Sequence, residues 1–373
     1  MTRPQKVILG VLSVLACSLS LLVLNTGSQA YRTWSQQPLG PTLEYPTAWE
    51  LPATWTVLPG ASQPTITLAP TLSFETETPV SPFLACKDLP TMTVLAIGTD
   101  VRSDDYRSGR ADVMRAVRVD FQMQRVTALE FPRDLWVKIP GIERNLKTDR
   151  QKLNTAYVYG NPDHGPSLLA RTLDLNFGLK VDHYVVVNMN VFVDVVDTLG
   201  GLDVTIPAGG IDGRTTSDRS QRLVFPEGPQ HLSGEQALTL ARIRNVSVFE
   251  RAKHQNLVMC ALREEIENPE TIFRLPAIIS SFMDNIQTDL TPEQISQLAC
   301  LGTQMPRSNI VFASFPLGLF KTSEVYDPVL KQDVFIWDAN FGTLRGYVRQ
   351  FQEGTWPSPT PLGTPEPGTS SCE

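Results

Sequence analysis

The strongest constraint on this chain is an alternation. From about residue 89 to residue 352, short runs of Val, Ile, Leu and Phe take turns with segments of helical periodicity. Residues 93–97, 113–121, 126–131, 184–187, 204–206, 310–315 and 334–336 read as strands. Residues 166–175, 192–199, 233–242, 250–267, 272–285, 291–303 and 341–351 read as helices. Two of these helices open on capping boxes, Ser233-Gly234-Glu235-Gln236 and Thr291-Pro292-Glu293-Gln294. Another stops at Gly200-Gly201, as a helix needing a left-handed residue after its last turn would. Strands and helices interleaved this way predict one α/β domain, of α/β/α type around a mixed central sheet.

The flanks read differently. Residues 31–88 are rich in Pro, Thr and Ser with few charges, which predicts an extended linker holding the globular part off a membrane. Residues 353–373 have the same character, with Pro357, Pro359, Pro361, Pro365 and Pro367. Residues 1–30 carry the membrane signal. Arg3 and Lys6 precede an uncharged apolar run over residues 7–24, about long enough to cross a bilayer as a helix. Positive charge ahead of that run predicts a cytoplasmic N-terminus, a single pass through the cell membrane, and an extracytoplasmic domain. Cleavage after Ser28-Gln29-Ala30, or a lipoprotein box at Val14-Leu15-Ala16-Cys17, are the alternatives to a retained anchor.

Export makes the cysteines informative. With Cys17 in the apolar run, Cys86, Cys260, Cys300 and Cys372 remain outside, an even number that fits disulfides. Cys260 and Cys300 both lie on expected helices, so they form either a staple, with Cys86 joined to Cys372, or free buried thiols. No CxxC spacing or His cluster points to zinc. A net charge of −7 argues against nucleic acid as a partner, since that interaction needs a basic surface.

Polar residues that could do chemistry cluster at strand and helix ends, where α/β folds build sites. Asp100-Val101-Arg102 follows the first strand, and Arg110-Ala111-Asp112 precedes the second. Two carboxylates at adjacent strand ends can share Mg²⁺ or Mn²⁺, leaving the other positions to water and substrate phosphate. Pro132-Arg133-Asp134 closes the third strand. Arg242, Arg244, Arg251 and Gln255 form a further group, with Arg251 and Gln255 one helical turn apart. Guanidinium groups grip phosphate oxygens in pairs, and several together can neutralise a pyrophosphate. Lys152 and Asn154 add a cation and an amide. A nucleophile elbow, a P-loop, an HExxH helix and a dinucleotide fingerprint are all absent from the sequence.

Taken in order, the strings VLAIGTDVR, GRADVM, VTALEFPRDLWVKIPG, KLNTAYVYG, VDHYVVVNMNVFVDVVDTLGGLDVTIP and FPEGPQHLSGEQALTLARIR, with the R…Q pair after them, resemble the LytR-CpsA-Psr family of cell-envelope proteins. The resemblance implies metal-dependent transfer of a phosphoglycopolymer from a polyprenyl-pyrophosphate carrier to a hydroxyl of a cell-wall polymer. It also implies a sheet-and-helix core enclosing an apolar tunnel for the prenyl chain. By matching position, Asp100 and Asp112 would hold the metal. Arg102, Arg110, Arg133, Lys152, Arg242, Arg244, Arg251 and Gln255 would hold the pyrophosphate, with Asp112, Arg133, Asp134 and Arg244 taking part in the chemistry. The chain departs from the family pattern where Val248-Phe249-Glu250-Arg251 lacks an Asp, where His254 replaces a common Arg, and in a short stretch between Arg244 and Arg251. A lipid-binding protein without turnover and a pyrophosphatase are the competing readings.

Overall fold

The computed structural model describes residues 29, 31–43, 90–101, 109–213, 223–243, 248–268, 271, 286–358 and 369–371. Its centre is a mixed sheet built early in the chain. β1 (Met92–Thr99), β2 (Ala111–Asp120) and β3 (Arg125–Glu130) form an antiparallel meander. The short strands β4 (Trp136–Lys138) and β5 (Arg150–Lys152) pair beside it. β6 (His183–Val187) then joins β1 in parallel.

The helices of this first half are α1 (Glu143–Leu146), α2 (Thr155–Tyr159) and α3 (Asn161–Phe177). Next come α4 (Met189–Leu199), β7 (Leu202–Ile206), β8 (Ile211–Gly213), β9 (Leu223–Phe225) and β10 (Gly228–Leu232). The chain continues through α5 (Gly234–Arg242), α6 (Val248–Glu267), β11 (Gln287–Thr288), α7 (Pro292–Gln304) and β12 (Ile310–Ser314). The hairpin β13 (Phe320–Asp327) and β14 (Gln332–Ala339), α8 (Phe341–Glu353) and β15 (Thr369–Ser371) complete it. Among the described residues the main sheet runs β11-β6-β1-β2-β3-β12-β15.

The near-continuous apolar run of β1 follows from its place inside that sheet, covered on both faces. Successive side chains point to opposite faces. Leu95 and Ile97 enter one core with Leu169, Leu173 and Phe177 of α3 and Leu344, Val348 and Phe351 of α8. Met92 and Val94 enter the other with Leu301 and Met305 from α7 and the residue after it. The three-layer expectation is therefore met. A separate core joins α4, β7, α5 and α6 through Val196, Val204, Leu240 and Val258.

Both predicted capping boxes form, with the Ser233 and Thr291 hydroxyls on the main-chain N–H of Gln236 and Gln294. Hairpin strand β13 is the clearest element missing from the sequence reading. Its segment FKTSEVYD is mostly polar, and main-chain pairing with β14 rather than burial makes it a strand.

Both flanks touch the domain. Residues 31–43, within the stretch expected to be a linker, lie against it: Leu39 N–H donates to the Leu290 carbonyl (3.2 Å). In the stretch expected to be a tail, Trp356 is buried beside Tyr347 (4.9 Å between rings), and β15 pairs with β12. Cys260 and Cys300 are each disulfide-bonded. They lie where α6 approaches the α7 region, at Arg263 Nη2 to the Met305 carbonyl (2.6 Å) and Arg307 to Glu264 (2.9 Å). The apolar run 7–24, the expected helix 272–285, Cys86 and Cys372 lie outside the described residues. Among the described residues no helix is long and apolar enough to cross a membrane.

Candidate functional site

The site forms where β1 ends, β2 begins and β3 ends. Antiparallel pairing brings Thr99 opposite Ala111, so Asp100 and Asp112 share one end of the ladder. The turn following β3 is tied to the same place through Asn154. Its main-chain N–H donates to the Arg133 carbonyl (3.1 Å), and its carbonyl accepts from Ala111 N–H (3.1 Å). Neighbours that are distant in sequence are thus fixed by backbone bonds, before any side chain is considered.

The side chains then alternate in charge. Arg251 donates through Nη2 to the main-chain carbonyl of Asp112, and its Nη1 lies 4.0 Å from Asp112 Oδ2. Arg133 donates through Nη1 to Asp112 and through Nε to Asp134 (3.2 Å). Lys152 Nζ donates to the other oxygen of Asp134 (2.9 Å). Burial works against the charge on Arg133, but Asp112 and Asp134 more than offset it, and its pKa is raised. On Arg251 burial wins over the Asp112 carboxylate and the pKa is lowered. The difference shows which cation is the better neutralised.

A second pair sits one step deeper. Arg115 and Glu130 are cross-strand partners on β2 and β3. Arg115 donates to Gln255 Oε1 (3.3 Å) and lies over the Phe312 ring, 5.3 Å from its centre. Burial raises the Glu130 pKa, with Arg115 and Arg251 pulling it back. The sequence reading passed over both residues. Their signal was a charged residue within an apolar strand, VMRAV in β2 and TALEF at the end of β3, where an unpaired charge is costly.

Beside these groups is a cavity of about 410 Å³. Its polar lining is Thr99, Asp112, Arg115, Asn188, Arg242, Arg251 and Gln255. The rest of the wall is largely apolar, including Val185, Val187, Phe192, Val195, Leu238 and Val258 from β6, α4, α5 and α6. Three buried polar atoms at the site lack a hydrogen-bond partner among the described residues: Thr99 Oγ1, Asn154 Oδ1 and Arg251 Nε. Buried polar atoms are ordinarily satisfied, so these are places where a ligand's oxygens or a cation could bond.

The structure thus brings together Asp112, Arg133, Asp134, Lys152, Asn154, Arg251 and Gln255, with Arg242 on the same cavity. Asp100 and Arg110 sit at the exposed rim, where Asp100 Oδ1 accepts from Arg110 N–H (2.7 Å). Arg102 and Arg244 lie outside the described residues. Among the described residues no group of three or more His, Cys, Asp and Glu side chains forms a protein cage for a metal. The donor set, with Asp100, Asp112, Thr99 Oγ1 and Asn154 Oδ1, is all oxygen. That fits Mg²⁺ or Mn²⁺ held by one or two carboxylates with phosphate and water.

The sequence profile of the LytR_cpsA_psr family matches residues 70–332. The polyisoprenyl-teichoic acid–peptidoglycan teichoic acid transferase TagV of Bacillus subtilis is 29% identical over 201 residues, 53% of this chain and 49% of that protein. The transferase of the same name, TagU, from Bacillus cereus is 28% identical over 207 residues, 55% of this chain and 62% of that one. The matches therefore span about half to three-fifths of those relatives. In fold, the chain is similar to the crystal structure of B. subtilis TagV (TM-score 0.55, 24% identity, 71% of this chain and 98% of that one). It is also similar to TagT bound to LIIa-WTA (TM-score 0.54, 22% identity, 74% and 93%).

Proposed function

The chain belongs to the LytR-CpsA-Psr family, and on that premise we propose that it transfers a phosphoglycopolymer from a polyprenyl-pyrophosphate carrier to a hydroxyl of a cell-wall polymer. The observation that carries the proposal is the cavity, whose apolar wall meets a cluster of Arg115, Arg242 and Arg251. A prenyl chain suits the wall, and a pyrophosphate suits the cations. Few other ligands need both.

In the proposed reaction the acceptor oxygen attacks the glycan-side phosphorus. A new phosphodiester forms, the bridging P–O bond breaks, and polyprenyl phosphate leaves with the bonding electrons. Arg251, Arg242 and Arg115 face the growing charge on the leaving phosphate, where fixed donors in a partly dry site act most strongly. The unpartnered Arg251 Nε offers one such donor. Arg133 and Lys152 hold the Asp134 carboxylate in place, and we assign Asp134 to take the proton of the acceptor hydroxyl. Arg133 also holds Asp112. Asp100 and Asp112 would hold Mg²⁺ or Mn²⁺, which supplies further charge neutralisation at the phosphates. The apolar run over residues 7–24 would anchor the protein in the cell membrane, keeping the domain with its lipid substrate on the extracytoplasmic side.

The test is release of product from a polyprenyl-pyrophosphate glycolipid, with and without Mg²⁺, for the wild type, Asp100→Ala, Arg244→Ala and Arg251→Ala. Metal-dependent transfer to a glycan acceptor, lost in the variants, is expected. Transfer to water alone would make the protein a pyrophosphatase, and tight lipid binding without turnover would leave a binding protein.

A further inference from the structure

Residues 31–43, which lie between the apolar run and the domain in sequence, are strapped down on the domain. Ser35 is buried, and Leu43 packs against the main core. Between them, Leu39 bonds to the Leu290 carbonyl, and Tyr184 donates its hydroxyl to the Pro41 carbonyl (3.0 Å). At Gly40 the fit is close: a Cβ there would lie 2.7 Å from the Thr288 carbonyl oxygen, so a side chain would collide with β11. The strap is fitted to the β6–β11 edge of the sheet.

Among the described residues, one face of this strap is left exposed. Tyr31 and Trp34 are 66% and 55% exposed, and their rings lie 6.1 Å apart on a short helical stretch. Spacing of three residues places them on one face, with Arg32 beside them. Exposed Trp and Tyr of this kind, with an apolar body and a polar tip, concentrate at membrane–water interfaces.

Chain length identifies the occupant. Tyr31 is seven residues beyond Leu24, the end of the apolar run. Even fully extended, seven residues span about 25 Å. If the run crosses a bilayer, the aromatic pair cannot stand further than that from the hydrocarbon edge.

We propose that Tyr31 and Trp34 insert into the bilayer surface and seat the β6–β11 edge of the domain on it. The proposal rests on the membrane-anchor reading given above. It makes residues 31–43 a docked strap, and it has a consequence for the substrate. Val185 and Val187 of β6, and Ile286 just before β11, line the apolar cavity. The edge held at the membrane is thus the edge that flanks the cavity, and a prenyl chain would pass into it without crossing open water.

The test uses the full chain in vesicles of mixed zwitterionic and anionic phospholipid, with ordinary or brominated acyl chains. Trp34 is read as the difference in fluorescence between the wild type and Trp34→Phe, a change at an exposed position. Flotation with the vesicles measures the anchor independently. Expected is flotation of both proteins, with a blue-shifted Trp34 component that brominated lipid quenches. Flotation with an unquenched Trp34 component would overturn the seating while leaving the anchor intact. A blue shift that appears only on self-association, untouched by bromine, would assign the face to a second copy and also overturn it. Failure to float would remove the anchor reading, and the seating with it.

Discussion

Arg251 on α6 donates to the main-chain carbonyl of Asp112 on β2, a residue 139 positions earlier. This one contact joins the long helix to the end of the β1–β2 ladder, and it fixes the guanidinium beside the cavity. Because it ends on a carbonyl, substituting the Asp112 side chain does not by itself remove it.

Removing Arg251 is expected to cost both stability and turnover. Arg251→Leu removes the guanidinium from the Asp112 carbonyl while Arg133 still holds the carboxylate, a loss of about 2 kcal/mol in urea denaturation. Arg251→Lys keeps a charge but not the two-pronged geometry, so its turnover should stay near that of the leucine variant. Recovery of turnover by lysine would mean that charge alone matters at this position.

Asp134 and Lys152 form the pair to test for proton transfer. Asp134→Asn keeps the shape and is expected to lower turnover by about 10²-fold, with glycolipid binding changed little. Lys152→Met removes a partner that positions Asp134 and should lower turnover less than Asp134→Asn does. Equal losses of binding and turnover in Asp134→Asn would reassign the residue to holding the substrate.

Glu130 makes a prediction about pH. Burial raises its pKa above the ordinary value of 4.5, so the folded protein binds this proton more tightly than the unfolded chain. Its contribution to stability is complete below about the ordinary carboxylate range and is lost as pH rises through the raised value. Comparing urea denaturation of the wild type and Glu130→Gln as pH rises from the ordinary carboxylate range should show the variant with the flatter profile. Arg115→Met should move the wild-type loss to higher pH, because the nearby cation that opposes the rise is gone.

Cys260 and Cys300 make a covalent prediction. Each is disulfide-bonded, and peptides carrying the two should run together in mass spectrometry before reduction and apart after it. A bridge closing a loop of this size stabilises by about 3–4 kcal/mol, so Cys300→Ser should lower the unfolding midpoint clearly. Pairing of either cysteine with Cys86 or Cys372 would reject the expected staple.

Much of the architecture was legible because burial leaves a periodic trace. β1, β2, β3, α4 and α8 fall within a few residues of their expected positions, since each presents apolar residues to a core at its own period. The capping boxes gave the starts of α5 and α7 for a local reason: the bonds run between residues three apart. Elements held by pairing rather than burial were not legible. β13 is polar and needs β14 to be a strand, and β15 lies in a Pro-rich stretch that pairs with β12 only once both are in place.

By itself, then, the sequence determined the α/β class and pointed to most of the residues that the structure brings together, because hydrophobic period and the order of the motifs can be read along the chain. Only the tertiary structure decided how the members are connected: that Arg133 spans Asp112 and Asp134, that Lys152 completes Asp134, and that Arg115 and Glu130 belong beside them. It also decided that residues 31–43 lie on the domain, since nothing in a Pro-rich segment indicates which sheet edge will accept it. Register and chain crossing set those distances, and neither is written in any single segment.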